Sequence, residues 1–299
     1  MGDILVGTAS WADKSVVDSG RFYPSPAMSA EARLRYYATH FPLVEVDSTY
    51  YALPSVANAQ LWVERSPNGF VFDLKAFRLL TGHHAEPNAL PADLRRALGP
   101  TEKVNVYYRD LSEEIRLELW RRFRTAIEPL RHAGKLGAVL LQFPPWFVFG
   151  RASFAHITHC AEMLAGYRLA VEFRNKSWFG EKTRQEVLAF ERTQGLTHVV
   201  VDEPQGFTSS IPQVWEVTDP NLAIVRLHGR NRETWEQKDL PSSADRFNYH
   251  YSAAELGDIA ALVRRLASEA RRVHVLFNNC HEDKAQRNAA AFTRLIQQA

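Results

Sequence analysis

The sequence predicts an α/β protein: a single (β/α)8 barrel over residues 1–299, with an irregular sixth βα unit and long loops above its C-terminal mouth. Two observations predict it. Strand and helix signals alternate from one end of the chain to the other, as a parallel barrel requires. Each strand-like segment also finishes on a polar or charged residue: Thr8, Asp47, Lys75, Gln142, Arg174, Asp202, His228 and Asn278.

Strand Ile4–Thr8 opens the chain, a first helix closes with Leu34–Phe41, and strand Leu43–Ser48 follows. Ser55 suits the N-cap of a helix running to Arg65, ahead of strand Phe70–Ala76. A long helix over Ser112–His132 carries Glu113 and Glu114 in its first turn, and strand Gly137–Gln142 stops at Pro144-Pro145. Helix Ser153–Leu164, strand Arg168–Arg174, helix Lys182–Thr193 and strand Thr197–Asp202 come next. Pro204, Gly206, Pro212 and Pro220 then occupy the place of the sixth helix. Strand Leu222–His228, helix Ala253–Ala267, strand Val273–Asn278 and helix Asp283–Gln297 complete the series. Two excursions, Phe77–Asp110 and Gly229–Tyr251, leave strand ends and belong over the mouth. Arg230–Tyr251, polar and carrying Pro241, Ser242 and Ser243, is expected to act as a lid.

Strand side chains alternate faces with a period of two. Glu45, Asp73, Glu172 and Arg226 sit two residues before strand ends, so they share a face with Asp47, Lys75, Arg174 and His228. A doubly wound open sheet would bury both faces of its central strands in apolar contacts. Here one face turns ionic, which favours closure into a barrel with a polar ring at its C-terminal end. The main pocket is expected there.

A net charge of +2 argues against a broad nucleic-acid surface, although a local patch keeps a nucleic acid among the partners considered. Arginine pairs such as Arg121-Arg122 and Arg264-Arg265 read as solvated outer helix faces. Cys160 and Cys280 match no metal or redox spacing, and no disulfide is expected between them. The chain opens directly into a strand and holds no apolar run of the roughly 20 residues that a membrane span needs. A cytoplasmic location without membrane contact is expected, and nothing indicates an oligomeric state.

At the mouth, Glu172 beside Arg174 reads as a carboxylate held ionised, fit for a base or a ligand. Arg226, His228 and Arg230, together with Arg174, suit an anion, because guanidinium forks match phosphate and carboxylate. Glu172, Asp202 and His228 are the catalytic candidates, and they are also the set that would hold a divalent metal if one is bound. No cofactor motif is present. Substrate contacts are expected from Trp11, Glu45, Asp47, Tyr51, Lys75, Gln142, Arg174, Trp178, Arg226, Arg230 and Asn278, with Trp11 and Trp178 as stacking platforms. His83-His84 reads as a surface pair in a loop.

The runs GTASW (7–11), RFYP (21–24), LRYYATHFPLVEVDSTYYALP (34–54), FDLKA (72–76), GAVLLQFPPWF (137–147), AVEFRNKSW (170–178), VRLHGR (225–230) and FNN (277–279) resemble the YecE-like family, TIM barrels grouped as a domain of unknown function. The resemblance covers nearly the whole chain and implies the barrel, without an assigned reaction. In fold, some members are similar to divalent-metal barrels that include apurinic endonucleases and sugar isomerases, an analogy that does not fix function. Three places depart from the family pattern: Asp47 for Asn, Ala9-Ser10 for Ser-Gly, and Asn175 for His. The combined expectation is a hydrolase or lyase for a phosphate-bearing or sugar-containing substrate, with nucleic-acid fragments included. The alternative is a non-catalytic binding module that uses the same pocket.

Overall fold

Eight parallel strands pair in sequence order and close on themselves: β1 (Asp3–Ala9), β2 (Leu43–Val46), β3 (Val71–Lys75), β4 (Leu136–Gln142), β5 (Leu169–Glu172), β6 (Thr197–Asp202), β7 (Ala223–Leu227) and β8 (Arg272–Phe277). The computed structural model describes residues 1–240 and 242–298; Pro241, one basis of the lid expectation, lies outside them. Closure runs from Asp3 opposite Arg272 to Thr8 opposite Phe277.

The crossovers carry α1 (Lys14–Ser19), α2 (Ala30–Ala38), α3 (Ser48–Tyr51), α4 (Val56–Glu64), α5 (Ala92–Leu98), α6 (Glu113–His132), α7 (Arg151–Met163), α8 (Arg184–Gln194), α9 (Ala253–Glu269) and α10 (Lys284–Gln297). Serine caps start the helices that the sequence marks best. Ser55 accepts from Asn58 N (3.1 Å) and Ser112 from Ile115 N (3.4 Å), while Ser252 and Glu255 cap each other reciprocally on α9. Residues 203–222 contain no helix, as the prolines there require, and the excursion after β3 carries α5. No helix among the described residues is long and apolar enough to cross a membrane.

Two apolar layers follow from the alternation. Val44, Phe72, Leu74, Val139, Val171, Val200 and Val225 pack outward under the helices. Leu5, Leu43, Val71, Leu140, Ala170, Val199, Val201, Ile224 and Leu276 fill the barrel interior. Carried upward by two, the inner face of each strand reaches Glu45, Lys75, Gln142, Glu172, Arg226 and, just past the strand ends, Arg174, His228 and Asn278.

Two strand ends break the expected parity. Thr8 shares the outer face of Val6 and bonds Tyr37 on α2 (Oγ1 to Oη, 3.0 Å). Asp202 shares the outer face of Val200. Both errors come from equating the last polar residue of a strand with its inward one.

Deeper in the barrel, Asp73 and His274 form a buried pair (Oδ2 to Nδ1, 2.8 Å). The β3–β4 register shifts opposite Asp73, so that Gly137 also turns toward this pair. A Cβ on Gly137 would stand 2.3 Å from Asp73 Oδ1 and 2.9 Å from His274 Cε1. Gly137→Ala should therefore destabilise by roughly 1–3 kcal/mol through overpacking. Urea unfolding measures this, and an unchanged midpoint would show that the pair can yield.

Candidate active site

Arg226 stands at the centre of the mouth, 1% exposed, placed there by the inward face of β7. Its Nε and Nη2 donate to the two carboxylate oxygens of Glu45 on β2 (2.8 and 2.6 Å). Its Nη1 donates to Glu172 on β5 and to Gln142 Oε1 on β4 (3.2 Å). One guanidinium thus ties four strands together across the barrel.

A second cluster sits beside the first. Arg174 Nη1 lies 2.9 Å from Glu203 Oε2, 3.4 Å from Glu172 Oε1 and 3.2 Å from His228 Nε2. His228 Nδ1 lies 2.8 Å from the Asn278 amide. Arg174 can only donate, so Nε2 accepts and Nδ1 carries the proton of a neutral ring. The Asn278 amide must then present its oxygen to Nδ1. Glu203 Oε1 accepts from Ile211 N (2.8 Å). Lys75 closes the rim, bonding Asp47 (2.9 Å) and resting 4.3 Å from the centre of the Tyr50 ring; Tyr51 beside it is exposed.

Burial and neighbouring charge drive these groups apart. Burial alone would raise the Glu172 carboxyl, but the Arg226 guanidinium, with Arg174 adding to it, outweighs it and holds the group well below the usual carboxylate range. Burial raises Glu203, and Arg174 only partly opposes it. Burial, reinforced by Arg174, lowers His228 to about 3. The same surroundings therefore push the Glu172 carboxyl down and the Glu203 carboxyl up, and they leave the imidazole neutral.

Several expected positions lie elsewhere. Asp202 points outward and is consumed by Arg230 (2.8 Å from Nη2) and Tyr251 Oη (2.6 Å); Arg230 also meets Glu255 (3.2 Å). The set Glu172, Asp202 and His228 is therefore not assembled as metal ligands. Among the described residues no group of three His, Cys, Asp or Glu side chains is placed to hold a metal. Trp178 is fully buried, stacked 4.0 Å from Phe173 with its Nε1 on Phe147 O (2.7 Å), so it anchors a loop rather than offering a platform. Trp11 packs edge-on against Trp62 and Phe72 (5.8 and 6.3 Å) on the outer side. His83 is buried rather than a surface residue, against Tyr50 and Trp146. Asn175 caps the turn after β5, accepting from Ser177 N (2.9 Å).

Glu203 is the residue the sequence reading missed. Its signal was the alternation Val199, Val201, Glu203, continued one step past Asp202 and obscured by Pro204. The centre of the mouth is closely packed: Glu45, Glu172, Glu203, Arg226 and His228 are each at most 2% exposed. Phe247 from the 230–251 segment lies 6.0 Å from the His228 ring, which places that segment over the site. A larger cavity, about 560 Å³, opens at the opposite end near Gly2, Pro220 and Arg271.

A closed (β/α)8 barrel carrying a buried carboxylate–guanidinium–imidazole cluster at its C-terminal end defines the class of protein. Within that class, the family model described as "Protein of unknown function DUF72" matches residues 5–299, and the chain belongs to that family. It is 32% identical over 295 residues to the UPF0759 protein YunF of Bacillus subtilis, covering 98% of this chain and 94% of that protein. A solved DUF72 family protein from Enterococcus faecalis superposes with a TM-score of 0.80 at 28% identity, covering 99% of this chain and 96% of that one. Another, from Thermotoga maritima, gives 0.76 at 30% identity over 99% of both chains. Ser10, where the family resemblance leads one to expect glycine, takes the left-handed conformation at φ 71°.

Two outcomes follow from the cluster. Arg226→Ala should destabilise by roughly 3–5 kcal/mol, because it leaves Glu45 and Glu172 buried without their partner. Denaturant unfolding tests this, and a loss under about 1 kcal/mol would show that the carboxylates rehydrate. The second concerns His228, whose folded pKa of about 3 lies below its ordinary 6.5. The unfolded chain therefore binds the proton first, so stability falls as pH drops from about 6.5 toward about 3. Wild type should lose more stability than His228→Gln between pH 7 and pH 4; equal losses would contradict the buried neutral ring.

Proposed function

We propose that the protein is a hydrolase or lyase acting on a sugar-containing substrate by general acid–base catalysis at the mouth. The observation that carries this reading is the pair Glu172 and Glu203. Both meet the same Arg174 nitrogen, yet the carboxyl of Glu172 is pushed well below its ordinary range and that of Glu203 above it. Carboxyls driven apart in this way divide acid and anion roles within one site.

Glu203 supplies a proton to the leaving oxygen as the C–O bond breaks. Glu172 is too acidic to act as a base near neutral pH; it accepts substrate hydroxyls and offsets developing positive charge. In hydrolysis, substrate displaces Arg174 from His228 Nε2, which removes a charge that depresses the imidazole, and His228 then takes the proton of the attacking water as the new C–O bond forms; that proton returns to Glu203 through solvent. Asp47, Lys75, Gln142 and Asn278 line the upper site with donors and acceptors suited to hydroxyls. The charge balance favours a sugar over a multiply charged substrate, since Arg226 and Arg230 are each spent on two carboxylates. Among the arginines, a single phosphate would find Arg174 alone, whose Nε and Nη2 have no partner among the described residues.

A panel of aryl glycosides and sugar phosphates tests the reading. Turnover should decline as pH rises through the Glu203 pKa, and Glu203→Gln should lower kcat by about 10²–10⁴-fold while the thermal transition is retained. Saturable sugar binding without turnover, equal in wild type and Glu203→Gln, would replace the enzyme with a binding module.

A further inference from the structure

Outside the mouth, the loops after β3 and β4 build a groove of about 300 Å³ lined by Gly82, Tyr107, Tyr108, Arg109, Trp146 and Phe147. Its wall is the Trp146 indole, 52% exposed, with Nε1 bonded to Gly82 O (3.4 Å). His84 lies nearly parallel to that indole, 5.9 Å away at 20°, and Tyr107 meets His84 edge-on at 5.8 Å. The floor is held from below: the Tyr108 hydroxyl accepts from Trp120 Nε1 (2.9 Å) and bonds His159 Nε2 (3.0 Å). Such a wall and floor are preformed rather than assembled on binding.

The charge at this groove differs from that at the mouth. The Arg109 guanidinium lies 5.2 Å from the Tyr107 ring and Arg116 lies 5.5 Å from Tyr108, and neither meets a carboxylate among the described residues. Asp110, the adjacent acid, is taken by Lys103 Nζ and Tyr107 N (2.8 Å each). An arginine with no acid partner, beside an exposed indole, offers a ring face and an anion site together. The lining has no carboxylate or amide side chain to hold sugar hydroxyls, which sets this groove apart from the mouth.

We infer that the groove is a binding site for a flat aromatic or heteroaromatic ring bearing an anionic group, the ring lying on Trp146 and the anion on Arg109. Its volume matches one such ring with a phosphate or carboxylate. The groove adjoins the mouth through His83, which packs against Trp146 at 5.9 Å and against Tyr50 at 5.1 Å. The inference stands on the groove alone and does not require catalysis at the mouth.

Calorimetric titration with phenyl phosphate, inorganic phosphate and benzyl alcohol tests it. Phenyl phosphate should bind at least about tenfold more tightly than either half-ligand. Trp146→Ala and Arg109→Gln should each weaken it by about tenfold or more, while Trp146→Phe keeps most of the affinity and Glu203→Gln changes nothing. Equal affinity in wild type and Trp146→Ala, or no binding at millimolar ligand, overturns the inference. Loss in Glu203→Gln with Trp146→Ala unaffected also overturns it, by moving the ligand to the mouth.

Discussion

The ion pairs of one buried guanidinium organise the upper half of the barrel. Arg226 joins Glu45, Glu172 and Gln142, so strands far apart in sequence are fixed to one another above an apolar interior. Desolvating these charges costs several kcal/mol per ion, and only close pairing offsets that cost. Two carboxylates against one guanidinium leave an excess negative charge, which Arg174 meets from the solvent side. Glu203 and His228 are then positioned by Arg174. The site is thus a chain of dependencies that starts from Arg226 on β7.

Much of the fold was legible because alternation and capping are local. Ser55, Ser112 and Ser252 start helices through bonds made within three residues, and the prolines between Asp202 and Leu222 exclude a helix by backbone geometry alone. The inward face was legible wherever a strand ran on in phase, as at Glu45, Lys75, Glu172 and Arg226. It failed at Thr8 and Asp202, where a polar residue of the outer face happens to end the strand. The roles of Trp11 and Trp178 were not legible, because whether an indole near a strand end faces solvent or a neighbouring loop depends on tertiary packing.

Pairing was the least legible feature. Arg226 and Glu45 are separated by 181 residues, and nothing local says that this arginine is spent on carboxylates rather than free for an anion. Four strand-end acids, Glu45, Glu172, Asp202 and Glu203, sit close to three arginines, and the pairing leaves little fixed positive charge available at the mouth. Arginines without acid partners lie instead at the aromatic groove. Composition shows a nearly neutral chain, but the fold separates a self-compensated polar cluster from a cationic, ring-lined surface.

Arg174 is the member of the cluster best placed to respond to a ligand. Its side chain is 18% exposed, whereas those of Glu172 and Arg226 are sealed beneath it. The same guanidinium lowers both Glu203 and His228. On the proposed reading, a substrate that draws Arg174 away removes both influences at once. Glu203 then holds its proton more firmly, and His228 rises from about 3 back toward the range of an effective base. Acid and base would be brought into play by one displacement, in a site that stays quiet while Arg174 lies across it. The buried Arg226 network makes this workable, since it keeps Glu172 charged and in place whether or not Arg174 remains.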